Sequence, residues 1–160
     1  TVTGVQTCAL PICTQSMDNQ ELFDEYLEHT IYEGKQVAEE GIHLTAGTIL
    51  APRGSGDTDF GGDEHRACDM QVVHPEKRDP DDDYGWWELD GGQYRVVFNE
   101  SLRECPVPLL LTANRRILEC GCNLASCVPG AGELATTLNV PDCGVGIKEN
   151  ARIGFQCRRS

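Results

Sequence analysis

Gly41-Ile42-His43-Leu44-Thr45-Ala46-Gly47-Thr48-Ile49-Leu50 is the stretch on which the fold turns. Ile42 and Leu44 alternate with His43 and Thr45, the two-residue period of a strand with one buried face, and residues 48–50 resume as a second short strand after Gly47. Working outward, the same signature recurs at residues 70–73, then at Tyr94-Arg95-Val96-Val97-Phe98, where Tyr94, Val96 and Phe98 share a face. Further short strands are read at residues 109–111, 124–128, 134–140, 145–147 and 152–155, separated by Gly, Pro or Asn-Asp punctuation. Many short strands at close spacing predict a closed or sandwich-like β domain. Trp86, Trp87 and Leu89 lead through Asp90-Gly91-Gly92 into residues 94–98, which predicts a hairpin, with the tryptophans as core beside a glycine turn.

Upstream, Leu22, Phe23, Tyr26, Leu27 and Ile31 fall at the spacing of an amphipathic helix. Asp18 and Glu21 stand as cap and N3 partner, and Gly34 closes the run. This predicts one long helix over residues 19–31; a further one or two helical turns are expected over residues 114–119. Residues 52–69 are rich in Gly, Asp and polar side chains without periodicity and read as a surface loop. The acidic run Asp79-Pro80-Asp81-Asp82-Asp83 reads as a solvated turn, since the carboxylates repel one another, ahead of the alternative that they hold a divalent cation.

The 160 residues are 39% hydrophobic and 6% aromatic, enough for one compact domain with its own core. A net charge of -13, from 26 acidic and 13 basic residues, opposes a long phosphate-tracking surface and argues against duplex nucleic acid as a partner. The apolar run 107–111 is broken by Pro108 and falls far short of the roughly 20 residues that cross a bilayer, so no membrane-spanning helix is expected. Lysine stands only at Lys35, Lys77 and Lys148 among the 13 basic positions. Few lysines on an acid-rich surface suit a halophilic protein soluble in concentrated salt, and suit an ordinary acidic cytoplasmic protein equally well.

Residues 2–12, from Val2 to Ile12, resemble the conceptual translation of a sequencing adapter and lack the charged start and continuous apolar core of a secretory signal. Residues 1–16 are therefore expected to be a non-native leader, with the natural start at Met17 and Arg159-Ser160 as read-through. Outside the leader stand Cys68, Cys105, Cys120, Cys122, Cys127, Cys143 and Cys157. An odd number without a secretory signal reads as free thiols in a reducing cytoplasm. Cys120-Gly121-Cys122 with Cys127 lacks the paired C-x-x-C spacing of a zinc site, so no metal ligands are assigned.

From Gly41 onward the chain resembles the dUTPase and dCTP deaminase family, in particular acidic archaeal forms. Gly41-Ile42-His43-Leu44-Thr45 is similar to the family's G-[IV]-D-L-T strand. Gly91-Gly92-Gln93-Tyr94 with Phe98-Asn99-Glu100-Ser101-Leu102 is similar to the segment before its first catalytic loop. Gly146-Ile147-Lys148-Glu149-Asn150-Ala151-Arg152-Ile153 is similar to its closing strand pair. The resemblance implies a mainly β distorted barrel or jelly-roll, to which the pattern over residues 19–31 adds one N-terminal helix. With the adapter-like start and the helix pattern, it divides the chain into leader 1–16, helix and linker 17–40, and β domain 41–157. It also implies a homotrimer that handles dUTP with magnesium, or dCTP without a metal-bound water.

The catalytic positions depart from the family. At its P-R-S-S loop this chain has Ala113-Asn114-Arg115-Arg116; arginines bind phosphate as charge-assisted forks but cannot supply a hydroxyl at the same reach. The D-P-G-[YFW]-x-G motif becomes Val128-Pro129-Gly130-Ala131-Gly132-Glu133, or begins at Cys127 with a one-residue slip, without its aspartate or aromatic. The following strand, residues 135–140, holds no carboxylate for deamination, and His43 replaces the first aspartate. The sequence thus predicts a catalytically degenerate member that binds a deoxynucleoside triphosphate, with Mg2+ carried by the triphosphate, through Arg115, Arg116 or Arg152. Two alternatives stand beside it. One is an active enzyme with relocated catalytic residues, for which Glu133, His43 and Asp142 are the acid and base candidates. The other is a non-catalytic, partner-binding trimer.

Overall fold

The computed structural model describes residues 17–158. The adapter-like segment and Arg159-Ser160 lie outside the described residues. Ten strands dominate: β1 (Leu27–Glu28), β2 (Ile42–Arg53), β3 (Asp69–Val73), β4 (Trp86–Leu89), β5 (Gly92–Leu102), β6 (Leu109–Ala113), β7 (Asn123–Leu124), β8 (Gly132–Val140), β9 (Val145–Lys148) and β10 (Arg152–Arg158). Eight form one antiparallel sheet in the order β6-β10-β2-β5-β8-β7, with β1 added to β5 and β3 to β2. A two-way bridge between Leu111 and Cys127 brings the ends of that order together, so the sheet curls into a nearly closed barrel. Strands β4 and β9 form a separate ribbon. Leu44, Ile49, Val96, Leu111, Leu134 and Leu138 are fully buried inside, as the alternation in β2, β5 and β8 requires.

Several local expectations are corrected. The runs read as two short strands around Gly47 are one strand, β2. Gly47 is a bulge in its pairing with β5, where an added Cβ would lie 2.8 Å from Asn99 Oδ1. The long helix over residues 19–31 is absent. Asp18 does cap a first turn, α1 (Asn19–Glu21), its Oδ1 accepting from Glu21 N–H at 2.8 Å. The chain then widens into a π-helical turn over Leu22–Tyr26 and leaves as β1, where pairing with Leu102 buries Leu27, before a short helix, α2 (Glu33–Gln36), leads to β2.

The expected hairpin between residues 86–89 and 94–98 does not form. Both edges of β5 are taken, by β2 and β8, so β4 pairs with β9 instead. Of residues 124–128 only Leu124 belongs to a strand. Residues 70–73, 109–111 and 134–140 lie in strands as their patterns predict, the strands running from 69 to 73, 109 to 113 and 132 to 140.

Candidate functional site

The segments Gly41–Thr45 and 146–153, a hundred residues apart in the chain, are brought together by the antiparallel pairing of β2 with β10, in which His43 faces Phe155 and Thr45 faces Arg152. Helix α3 (Arg115–Glu119) stands against β10. Its cap is Asn114, a buried side chain whose Oδ1 accepts from Arg116 N–H at 2.9 Å. With Oδ1 so engaged, Asn114 Nδ2 points at His43 Nδ1, 2.6 Å away. The amide donates, so Nδ1 accepts and the imidazole carries its proton on Nε2. Burial, followed by the positive charges of Arg152 and Arg116, pushes the His43 pKa below its usual value, while Glu40 opposes the shift. His43 is thus a neutral, oriented imidazole with the Nε2 proton left for another acceptor.

Arg116 and Arg152, the two cations that act on His43, also line a cleft of about 180 Å³ with the apolar side chains of Ile117, Ile147 and Ile153; His43 itself is not among its lining residues. Arg116, Lys148 and Arg152 line it, Trp86 forms one wall, and no carboxylate is among its lining residues. The Arg78 guanidinium lies 3.7 Å from the Trp86 ring centre. Arg152 Nη1 donates to Lys35 O at 2.6 Å, and both burial and Arg116 disfavour its charged form. Among the described residues Arg116 makes no ion pair. Cations held together in a strongly acidic chain create a local field opposite to the average one, and paired arginine forks match phosphate oxygens.

No family model matches the chain. It is 31% identical over 133 residues to a "Probable deoxyuridine 5'-triphosphate nucleotidohydrolase" of Methanosarcina acetivorans, covering 79% of this chain and 74% of the relative. The protein of the same name in Methanosarcina mazei is 29% identical over the same lengths. The chain belongs to the deoxyuridine 5'-triphosphate nucleotidohydrolase family.

Of the residues singled out in the sequence, His43, Arg116 and Arg152 converge, whereas Arg115, Glu133 and Asp142 stand apart. Arg115 turns away to pair with Glu119 at 2.8 Å, its side chain 89% exposed. Glu133 opens β8 and pairs with Arg95 at 3.0 Å on the surface. Asp142 lies beyond the other end of β8, roughly 25 Å away at the ordinary rise of a strand. The segment that resembles the family's D-P-G motif lines a larger cleft of about 600 Å³ with Cys105, Val107 and Leu109, where Glu104 is the one carboxylate.

Residues the sequence did not assign to a site complete the picture: Lys148 lines the cleft, Trp86, expected in the core, is half-buried on its wall, Asn114 holds His43, and Glu100 lies buried against Thr45 and Gln36. Glu100 is buried; its Oε1 accepts from Thr45 Oγ1 at 2.6 Å and Gln36 Nε2 at 2.7 Å, and its Oε2 from Thr45 N–H at 2.9 Å. The sequence signal for it was the acid within the alternating β5, on the buried face shared by Val96 and Phe98. Cys68, Cys105, Cys120, Cys122, Cys127, Cys143 and Cys157 are free thiols, and burial raises the pKa of Cys122. Among the described residues no group of His, Cys, Asp or Glu is placed to hold a metal ion, and no helix is long and apolar enough to cross a membrane.

Proposed function

We propose that this chain is a catalytically degenerate member of its family that binds a deoxynucleoside triphosphate, dUTP or dCTP, through its phosphates. The observation that carries this reading is the convergence of Arg116, Lys148 and Arg152 on a cleft whose lining residues include no carboxylate, Asp82 reaching Lys148 from outside that lining. Cations satisfy phosphate oxygens. Water activation requires a positioned base, and neither Glu133, tied to Arg95, nor Asp142 lies there. The cleft's donors do not fit a divalent cation, so Mg2+ enters only as the companion of the triphosphate. The binding unit is the β domain 41–157, acting in a cytoplasmic homotrimer whose acidic surface suits high salt.

The test follows pyrophosphate and ammonia release from dUTP and dCTP in molar potassium salt with Mg2+, alongside thermal unfolding. Ligand at a hundred times its Kd is expected to raise Tm by about 5–10 °C without turnover. Arg116→Ala and Arg152→Ala should each remove most of that shift. Turnover abolished by Glu133→Gln or His43→Ala would establish the active-enzyme alternative, and absence of both turnover and stabilisation in folded protein would favour the partner-binding trimer.

A further inference from the structure

Residues 77–85 form an excursion closed at its neck: Glu76 and Trp86 exchange backbone hydrogen bonds at 2.9 and 2.8 Å. Gly85 N–H donates to Glu149 Oε2 at 2.6 Å, and Glu149 N–H donates back to Gly85 O at 3.0 Å, so the base is pinned to the turn after β9. The tip is the acidic run, folded on itself by Asp82 N–H to Asp79 O at 3.1 Å and Asp81 N–H to Asp79 Oδ1 at 3.0 Å. Of its carboxylates, Asp82 turns inward and meets Lys148 Nζ at 2.5 Å. The bond to Lys148, assisted by Tyr84 N–H, holds the Asp82 carboxyl below its usual range. Lys148 is the residue that faces Trp86 across the β4–β9 pair and lines the cationic cleft.

We infer that the acidic excursion is an internal competitor for the cleft, its Asp82 carboxylate occupying the lysine that a polyphosphate must recruit. This rests on the phosphate-binding reading above. The Lys148 ammonium has three donors, but a phosphate oxygen brought onto it beside Asp82 meets a like charge at short range, so the carboxylate weakens its hold on a phosphate. Because the neck is closed by its own hydrogen bonds, the tip can leave without opening β4. Ligand binding and release of Asp82 are then linked: whatever favours the detached tip tightens polyphosphate, and polyphosphate detaches the tip.

The experiment titrates the full chain with inorganic tripolyphosphate by calorimetry at one fixed salt concentration. Asp82→Asn keeps the shape and weakens the ion pair; it is expected to tighten binding about three- to fivefold, the range of an exposed to half-buried pair. Asp81→Asn makes the same change in net charge at an exposed neighbour and should alter affinity by less than about twofold. In a Lys148→Met background, Asp82→Asn should bring no gain, since the contested group is gone. Equal effects of Asp82→Asn and Asp81→Asn, weaker binding by Asp82→Asn, or a gain that survives Lys148→Met would each overturn the competitor. Arg116→Ala reports on the reading beneath: wild-type binding lost by about tenfold upholds the cleft even where the competitor fails, and folded protein that never binds tripolyphosphate, with or without Asp82, overturns both.

Discussion

Glu100→Gln is the perturbation that most directly tests how the barrel holds Thr45 of β2 and Gln36 together. The carboxylate is 1% exposed and accepts from three donors, Thr45 N–H, Thr45 Oγ1–H and Gln36 Nε2–H. None of the three can readily turn away. Gln36 Oε1 already accepts from the N–H groups of Ile31 and Tyr32, which fixes its amide, and Thr45 Oγ1 itself accepts from Asn99 Nδ2 at 2.9 Å. A glutamine at position 100 must point its NH2 either at Thr45 N–H or at Gln36 Nε2, so one buried donor is orphaned in either orientation. One orphaned donor is worth about 1–3 kcal/mol, a fall in Tm on the order of 5 °C.

Burial pushes the Glu100 pKa up, with the hydrogen bonds from Thr45 and Gln36 opposing. The folded protein therefore takes up this proton before the unfolded chain does. Its contribution favours folding at low pH and is lost as pH rises through the raised value. Chemical denaturation of wild type and variant between pH 7 and the ordinary glutamate value should show a gap that is present at neutrality and widens on acidification. A variant as stable as wild type at neutral pH, or a gap that narrows as pH falls, refutes the reasoning.

Two further outcomes follow from packing and from the site. Gly154 faces the barrel interior, and a Cβ there would lie 2.5 Å from the Phe98 ring, so Gly154→Ala is expected to destabilise by about 1–3 kcal/mol in the same denaturation assay. His43 should titrate below 6.5 by NMR, as the Nε2–H tautomer, and move upward in Arg152→Gln. Since its folded pKa is depressed, it stabilises the fold above the unfolded value and that contribution is lost as pH falls through the window beneath it; Asn114→Ala should blur the tautomer and cost about 1 kcal/mol of cap.

The β class, most strands of the barrel, the helical turn over residues 115–119 and the Asp18 cap of α1 were legible in the sequence, because two-residue alternation and cap chemistry are local properties of nearby side chains. The pattern at residues 19–31 marked the right buried side chains, Leu22, Phe23 and Leu27, yet mistook their geometry. Burial periodicity says which residues go inside, and the partner strand, here β5 through Leu102, decides how. The same holds at the glycines. Gly47 reads as a break in the sequence and serves as a bulge in the structure. Which arginine faces the cleft was beyond local reading, since Arg115 and Arg116 are neighbours whose directions differ by the turn of a helix. Only the tertiary fold joined His43 to Asn114, buried Glu100 under Thr45, and laid Asp82 on Lys148. Those contacts span 55 to 71 residues of chain, and no local periodicity encodes a distance closed by strand order alone.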